Sequence, residues 1–471
     1  MHDFLTEPLI PIRSMDGDAG AVSLPGLLAR LSGDGVAEFP GLAAHQRQPW
    51  YQFLVQLAAI ALDRSGGTEP PVDAAAWGRL LAALTPVAHD CAWSLVVEEP
   101  DRPALLQPPA PERNLDGYGQ AADTPDAIDI LVTAKNHDVK MARMGAAQPH
   151  HWFYALVTLQ TLQGFLGAGN YGIARMNGGF ASRVMIDTVP ALDWGARFCS
   201  GLRLLLDQRS KGSELPFRHD DGKALLWLEP WNGEDSLALD DLDPHFIEIC
   251  RRVRLVRRNG SGPIVAWGRT SRAARVQGKD YKGAVGDPWI PVDKKAAALT
   301  IGANGFNYRK LADILYSPEY EPPASLLPRV DANWLHCQVL VRGQGKTDGL
   351  FDRVLPFPKR QQAAFTSRDN PARAAVHKLA DSMVGDASNA KKALKRGLLV
   401  LLNRGFPADP AKRLKLDDNR ADRWIDKLDQ RIDQMFFDHL WALAAIEPGD
   451  DDGFDAAWRT WHEALKQATQ P

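Results

Sequence analysis

Hydrophobic positions follow two different periods along the 471-residue chain. Apolar residues at helical spacing predict a core helix over Gln48–Leu62. A second helix is predicted over Trp152–Phe165, ended by Gly164 and Gly167, and Ser23 with Pro25 predicts the start of another. From about residue 180 to residue 360, short apolar runs typical of β-strands alternate with turns and some helix. These runs do not repeat as strand–helix–strand units, so the pattern predicts an α+β body.

The pattern changes after Pro358. From about Pro371 the sequence is rich in alanine, leucine and lysine, and segments with helical spacing are separated by short connections containing glycine or proline. Four such segments are predicted to be helices: Arg373–Val384, Asn389–Leu402, Arg420–Ile446 and Phe454–Ala468. We therefore predict a large mixed α/β body over residues 1–365, followed by a C-terminal four-helix bundle over residues 366–471.

Charge is unevenly distributed along the chain. The net charge of −3 excludes a uniformly basic nucleic-acid binder, but an acidic stretch, Glu214–Glu248, is followed directly by a basic block. The block consists of Arg251, Arg252, Arg254, Arg257, Arg258, Arg269, Arg272, Arg275, Lys279 and Lys282. Such a block is typical of contact with phosphate groups, and the alternatives are that the acidic and basic stretches face each other or merely solvate a sheet.

A second group of basic residues lies in the predicted helical bundle. It comprises Lys391, Lys392, Lys395 and Arg396. The i, i+4 spacing places Lys391 and Lys395 on one face of a helix.

Little in the sequence favours a metal site or membrane insertion. The four cysteines lie far apart with no CxxC pair, and the histidines form no HExxH or similar ligand pattern. No apolar run is long enough to span a bilayer, and the first residues do not resemble a signal peptide. We predict a cytoplasmic protein without metal or cofactor.

Two glycine-rich motifs resemble nucleotide-binding motifs but are incomplete. Gly167–Gly172 matches GxGxxG, yet a helix precedes it where a dinucleotide site needs a strand. It therefore indicates a turn with positive φ, or a backbone that approaches another molecule closely. Gly343–Thr347 resembles the end of a phosphate-binding loop but lacks the first glycine and the following helix. We interpret it as the tip of a hairpin between Gln338–Val341 and Asp352–Leu355, with Gln344 and Lys346 projecting outward.

Several short motifs follow one another in a set order over most of the chain. They are Leu5–Arg13, Val22–Leu28, Asn136–Asp138, Leu156–Gln160, Gly167–Gly172, Asn177–Phe180, Arg251–Leu255, Asp287–Pro291 and Tyr308–Asp313. This order, with an α/β body followed by a helical bundle, resembles the CasA family, the large subunits of the type I-E CRISPR surveillance complex Cascade. The resemblance implies a non-catalytic protein.

The resemblance also implies a role in reading DNA. Such a subunit recognises the short PAM beside the target from the minor groove, opens the duplex to start the R-loop, and helps recruit a helicase–nuclease. The residues implied in PAM or DNA contact are Gly167, Gly169 and Asn170 of the glycine loop, Lys294 or Lys295, and Gln344 at the hairpin tip with Gly343, Gly345 and Lys346. The minor groove is only about 6 Å wide, which suits a loop without side chains.

Further contacts are implied more loosely. The loop Lys135, Asn136, His137 and Asp138 would contact the guide RNA or neighbouring subunits, or would be a structural loop capped by Asn136. The bundle residues Lys391, Lys392, Lys395 and Arg396 would contact the displaced non-target strand. The implied partners are guide RNA, the backbone, small and handle-binding subunits, target duplex and the helicase–nuclease.

This sequence departs from the family pattern at two points. It lacks the CxxC-type zinc element of some members, and it has Asn170–Tyr171 where a third consecutive glycine is common. PAM preference therefore does not follow from the resemblance. The alternative hypothesis is a nucleotide-dependent enzyme using Lys346 and Thr347, or a metal-dependent nuclease with a dispersed acidic site.

Overall fold

The computed structural model describes residues 2–128, 147–179, 181–212, 214–329, 332–343, 346–367, 369–405 and 418–470. The chain divides into two compact units, Met1–Gly305 with Pro323–Phe357, and Phe306–Pro322 with Pro358–Pro471. The described residues form ten α-helices: α1 (Leu24–Ser32), α2 (Arg47–Arg64), α3 (Ala74–Ala82), α4 (Pro149–Leu162), α5 (Trp194–Lys211), α6 (Tyr308–Tyr316), α7 (Lys359–Gln362), α8 (Pro371–Leu402), α9 (Asp422–Ala444) and α10 (Asp451–Ala468).

The strands are short and form several small sheets. They are β1 (Ile10–Arg13), β2 (Ala19–Val22), β3 (Gln120–Ala122), β4 (Met185–Val189), β5 (Lys223–Leu225), β6 (Leu242–Ile247), β7 (Arg252–Arg257), β8 (Ile264–Arg269), β9 (Val292–Asp293), β10 (Tyr320–Glu321), β11 (Trp334–Gly343) and β12 (Lys346–Pro356). In the first unit β12–β11–β4 and β3–β8–β7 are antiparallel, and only β5–β6 among its described sheets is a parallel pair. The predicted mixed fold is confirmed.

Two helices form the centre of the first unit. Every residue of α2 from Gln48 to Leu62 is buried, which confirms the predicted core helix, and the second predicted helix, α4, is buried from Trp152 onward. Two glutamines of α2 make hydrogen bonds inside the core: Gln48 donates to the Arg183 carbonyl at 2.8 Å, and Gln56 to that of His245 at 3.0 Å. Helices that are buried all round in this way belong to a core.

The first predicted helix start is also confirmed. Ser23 caps α1, because its side-chain oxygen accepts a hydrogen bond from the Gly26 N–H at 3.3 Å. Pro25 lies in the first turn, where its missing N–H would have had no helical partner. The short hairpin β1–β2 precedes this cap, with Ile10 opposite Val22.

The second unit is helical, and the prediction of its helices is wrong at one point. Gly385 does not end a helix: α8 runs without a break from Pro371 to Leu402. The buried residues Val376, Ala380, Met383 and Ala387 form one apolar stripe that crosses Gly385 in phase. Packing of that stripe outweighs the cost of about 1 kcal/mol for a glycine inside a helix.

A helix from earlier in the chain completes this unit. α6 packs against α8 and α9. The Tyr316 hydroxyl accepts from the Trp441 indole N–H at 2.8 Å, and the fully buried Arg373 donates to the carbonyl oxygens of Leu315 at 2.7 Å and Tyr320 at 2.9 Å. The described residues of this unit therefore form four main helices, of which α6 replaces the extra segment that was predicted within α8.

Candidate nucleic-acid interface

A buried amide on α4 anchors the glycine loop. Gln160 donates to the carbonyl oxygens of Leu106 and Arg251, each at 3.0 Å, and its own oxygen accepts from the N–H groups of Cys250 at 2.9 Å and Arg251 at 2.8 Å. These four bonds use the full capacity of the amide. The end of α4 is thereby joined to the chain that enters β7.

Arg251 then closes the loop. Its buried guanidinium donates to the carbonyl oxygen of Gly164 at 2.7 Å and to that of Tyr171. The two acceptors flank residues 165–170, so one side chain holds both ends of the glycine loop. The sequence placed Arg251 in the basic block and in one of the ordered motifs, and the structure shows that it shapes this loop.

The two glycines of the loop have different roles. Gly167 has φ +104° and Gly169 has φ +84°, which confirms the predicted positive-φ turn. A Cβ on Gly169 would lie 2.7 Å from the Thr270 Cβ, whereas a Cβ on Gly167 would meet no atom within 4 Å. Gly169 is therefore required by packing inside the protein, and Gly167 leaves open space beside the loop. Asn170 donates its N–H to the Gly167 carbonyl at 3.0 Å, which closes the turn.

A buried ionic network lies behind the loop. Glu248 accepts from the N–H groups of Ala174 at 2.8 Å and Arg175 at 3.1 Å and pairs with the Arg175 guanidinium at 3.3 Å. Arg183 pairs with Asp287 at 2.5 Å, and the side chains of this pair are each about 1% exposed. The Asp287–Pro291 motif is thus explained by a structural role, since it carries a carboxylate of this network.

The predicted lysines lie on an exposed turn. Lys294 and Lys295 follow Asp293, whose carboxylate accepts from the N–H groups of Lys295 at 2.8 Å and Ala297 at 3.0 Å. This turn is joined to the neighbouring segment by a hydrogen bond of 3.0 Å from the Ala298 N–H to the Lys282 carbonyl.

Two other lysines lie closer to the glycine loop. Lys279 and Lys282 are exposed and line one cavity together with Tyr171 and Gly172. Sequence reasoning placed them only in the basic block. The available signal was Gly283, whose Cβ would lie 2.3 Å from the Met176 carbonyl carbon at φ +81°. Glycine permits this close approach of two backbones because it has no Cβ.

The predicted hairpin is present and longer than expected. β11 and β12 stay paired up to Gly343 opposite Lys346, while Gln344 and Gly345 lie outside the described residues. Lys346 and Thr347 begin a strand, so the helix that a phosphate-binding loop requires does not follow them. The geometry therefore does not favour the nucleotide-site alternative.

Cross-strand hydrogen bonds stiffen the hairpin. The Asp352 carboxylate contacts the imidazole of His336 at 2.8 Å and accepts from the Gln338 amide at 2.7 Å. Burial by itself raises the pKa of Asp352, but the bonds from His336 and Gln338 prevail and hold that pKa below its usual value. Burial lowers the pKa of His336.

Four arginines of the basic block, Arg251, Arg252, Arg254 and Arg275, are buried inside the protein. Arg254 is buried and donates to four backbone carbonyls, those of Arg102, Gln107, Val97 and Glu99, at 3.0–3.4 Å. Other contacts of the block are Arg252 with Glu112 at 3.0 Å, Arg269 with Glu112 at 3.1 Å, the exposed Arg272 with Glu234 at 2.7 Å, and Arg275 with the Glu229 carbonyl at 3.0 Å. At Arg272 and Arg275 the basic block does face the acidic stretch.

The basic residues of α8 divide into two pairs. Lys391 and Lys395 share a face, as predicted, and that face lies against α9, where they pair with Asp429 and, at 2.7 Å, Asp422. Lys392 and Arg396 lie on the exposed face. A contact of Lys391 or Lys395 with a DNA strand would first have to break an ion pair. The predicted contact loop Lys135, Asn136, His137 and Asp138 lies outside the described residues.

Among the described residues, the cysteines and the possible metal ligands form no further site. The four cysteines are free thiols, and burial raises the pKa of Cys250 to about 11. Within the described ranges no three His, Cys, Asp or Glu side chains lie close enough to hold a metal ion. Nor does any helix in these ranges combine the length and apolar character needed to cross a membrane.

These features define a two-unit protein with a glycine loop and a hairpin on a mixed helix-and-sheet body and a C-terminal helical region. The family model for the CRISPR-associated protein Cse1 matches residues 3–470, and the chain belongs to that family. The resemblance to CasA, another name for Cse1, is therefore confirmed. No curated protein sequence matches the chain.

Solved structures show the same fold. Cse1 from Acidimicrobium ferrooxidans is 17% identical, with a TM-score of 0.63, over 100% of this chain and 93% of that one. Cse1 from Thermobifida fusca is 13% identical, with a TM-score of 0.62, over 99% and 90% of the two chains. Thermus thermophilus CasA (Cse1) is 15% identical, with a TM-score of 0.57, over 99% and 92%.

Proposed function

We propose that this chain is the non-catalytic large subunit of a type I-E RNA-guided surveillance complex. In that role it recognises the PAM from the minor groove and opens the duplex, and it helps to recruit a helicase–nuclease. Membership of the Cse1 family supports the proposal, and one solved structure with this fold, 13% identical at a TM-score of 0.58, is that of a CRISPR RNA-guided surveillance complex.

The observation that carries the DNA-reading role is the open side of the glycine loop. Gly167 leaves free space where a Cβ would stand, while Arg251 and Gly169 hold the loop in shape from behind. A narrow groove admits a backbone of this kind more easily than bulky side chains. Lys279 and Lys282 line the adjoining cavity and supply positive charge for nearby phosphates.

The hairpin is the proposed wedge. Its strands are paired to Gly343 and Lys346 and stiffened by Asp352, so a side chain at position 344 would be delivered by a firm support. Opening one base-pair step costs a few kcal/mol. Pairing of the guide RNA with the freed strand then repays that cost and reads the sequence.

The remaining contacts of the proposal are assigned by family resemblance. Lys135, Asn136, His137 and Asp138 would contact guide RNA or neighbouring subunits, and Lys294 or Lys295 would approach the duplex. On α8 the exposed Lys392 and Arg396 are better candidates for the displaced strand than Lys391 and Lys395, because the latter two are less exposed and lie against α9.

The first test is DNA binding by guide-loaded complex with and without this chain. We expect the chain to add PAM-dependent affinity and to steepen the dependence on salt, since each neutralised phosphate contributes a slope of about 0.9. A complex that binds equally well without the chain would contradict the proposal. Purified chain should hydrolyse neither ATP nor DNA in the presence of Mg²⁺, and turnover would favour the enzymatic alternative.

A glycine pair tests the loop itself. Gly167→Ala places a methyl group in the open space beside the loop, and we expect a several-fold loss of PAM-dependent affinity with unchanged guide-RNA binding. Gly17→Ala is the matched control, because Gly17 has a similar φ of +91° and also no atom within 4 Å of a Cβ. Equal affinity losses in both variants would remove the loop from the interface.

A further inference from the structure

A cavity of about 440 Å³ lies behind the glycine loop. One wall is the segment from Phe165 to Gly179, and the other is the segment from Ala274 to Lys282. Lys294 and Lys295 are not among its described lining residues, so the cavity is separate from the predicted lysine turn.

Two close backbone approaches build this cavity. A Cβ on Gly278 would lie 2.8 Å from the Ala174 Cβ, and one on Gly283 would lie 2.3 Å from the Met176 carbonyl carbon. These contacts seal the two segments together at the back. At the front, Gly178 and Gly179 are exposed and a Cβ on either would meet no atom within 4 Å, so the mouth stays open.

The lining has three kinds of group. Phe165 and Tyr171 supply aromatic rings whose centroids are 6.0 Å apart with a tilt of 51°. The Tyr171 hydroxyl donates to the Arg272 carbonyl at 2.9 Å, which fixes the ring. Asn177 supplies an amide that can both donate and accept, and the exposed Lys279 and Lys282 supply positive charge.

This combination suits a nucleotide. A base has a flat face that stacks on aromatic rings, edges that pair with an amide, and a phosphate that attracts lysine. Opening a base pair beside the glycine loop leaves at least one base without a partner, and its exposed faces then need a new neighbour. The cavity adjoins that loop through Tyr171 and Gly172.

We propose that this cavity holds one unstacked nucleotide of the opened target DNA, with its base against Tyr171 and Phe165 and its phosphate near Lys279 and Lys282. The inference rests on the proposed function, because it assumes that duplex DNA is opened at the glycine loop. It adds that capture of a single base helps to hold the duplex open.

An abasic scan combined with a cavity variant tests the proposal. Guide-loaded complex carrying wild-type chain or Tyr171→Ala is titrated with PAM-containing duplexes, each with one abasic residue within or next to the PAM on either strand. Tyr171→Ala should weaken binding of intact duplex roughly 5- to 150-fold, the range for loss of one stacked base. At one position the abasic residue should weaken wild type similarly and cause no further loss in Tyr171→Ala.

Additive losses at every position would overturn the base-capture proposal. Failure of the proposed function would look different, because wild-type complex would then show no PAM-dependent binding of intact duplex. Ala274→Phe, which fills the cavity from the opposite wall, provides a second variant if Tyr171→Ala does not fold. Phe454→Ala removes a partly exposed ring on α10 and should retain wild-type affinity.

A free nucleotide has the same base and phosphate groups and is the alternative ligand for this cavity. A deoxynucleoside monophosphate should not displace intact duplex from the complex, because capture depends on the strand already held at the loop. Displacement that Tyr171→Ala abolishes would assign the cavity to a free nucleotide and overturn the proposal.

Discussion

The basic residues after Cys250 and those of α8 look alike in sequence but differ in the folded protein. In the first region arginines are turned inward, and Arg254 alone satisfies four backbone carbonyls. In the second region two lysines pair with α9 and two basic residues stay on the exposed face. A run of positive charge in the sequence is therefore not the same as a positive surface.

The chemistry of the side chains explains the difference. A guanidinium has five N–H donors in a planar fork and can bridge several carbonyls inside a protein, whereas an ammonium is compact and strongly hydrated. Arginines can thus be used as internal connectors where irregular backbone must be satisfied. The lysines that remain at the surface, Lys279, Lys282 and Lys392, are the better candidates for DNA contact.

The largest expected effect is on stability in the first region. Arg254→Ala should lower the free energy of unfolding by about 3–5 kcal/mol, because it leaves buried carbonyls without donors. Chemical denaturation of the purified chain measures this. Arg272→Ala is the control: its side chain is 83% exposed, and we expect a loss of at most about 1 kcal/mol. Similar losses of stability in Arg254→Ala and Arg272→Ala would contradict the conclusion that the buried arginines of this region are internal connectors.

Low pH should lower the stability of the folded protein through a buried histidine. His245 lies among Arg209, Arg175 and Asp243, and burial lowers its pKa to about 4. In the unfolded chain His245 binds a proton near pH 6.5, but in the folded chain it stays neutral down to a lower pH. Its contribution to the free energy of unfolding is therefore fully present above pH 6.5 and is lost as the pH falls towards 4. The loss is on the order of 3 kcal/mol.

Denaturation at a series of pH values measures this loss. His245→Gln should flatten the dependence between pH 6.5 and 4, because it removes the group that titrates. A variant that keeps the full wild-type slope would show that other groups are responsible.

A smaller effect tests whether α8 is continuous. The face paired with α9 and the exposed face both depend on one unbroken helix. Gly385→Ala should raise the free energy of unfolding by about 0.5–1 kcal/mol, because Gly385 is inside the helix and a Cβ there meets no atom within 4 Å. Thermal unfolding followed by circular dichroism measures this. A destabilised variant would indicate a break at this glycine.

The smallest effects should separate the two faces of α8. Lys391→Ala should cost at most about 1 kcal/mol of stability with little change in DNA binding, because it removes one partly exposed ion pair. Lys392→Ala should leave stability unchanged and lower the salt slope of DNA binding by up to about 0.9. If Lys391→Ala lowered the salt slope and Lys392→Ala lowered stability, the two faces would have the opposite roles.

Local patterns predicted several elements correctly. The buried helices α2 and α4, the Ser23 cap, the positive φ of Gly167 and Gly169, and the β11–β12 hairpin each depend on residues close together in the chain. The break at Gly385 was wrong because the glycine signal was weighed without the apolar stripe on either side. That stripe is visible in the sequence as Val376, Ala380, Met383 and Ala387.

The candidate site was predictable only in part. The sequence indicated the glycine loop, but Lys279 and Lys282 join it through contacts such as Gly278 with Ala174, more than 100 positions apart in the numbering. Arg251 meets the loop over a similar separation, since it donates to Gly164. Contacts between residues this far apart in the chain leave no sign in the short-range spacing of apolar and polar residues.

The sequence by itself determined the periods, caps and turns of this protein, because those depend on side chains one to four residues apart. It also carried the family resemblance through the order of its motifs. The tertiary structure decided which charges were buried, which face of α8 met α9, that α6 joins the C-terminal helices, and that a cavity lies behind the glycine loop. Those outcomes depend on burial, and burial is a property of segments that are distant in the chain and adjacent in the fold.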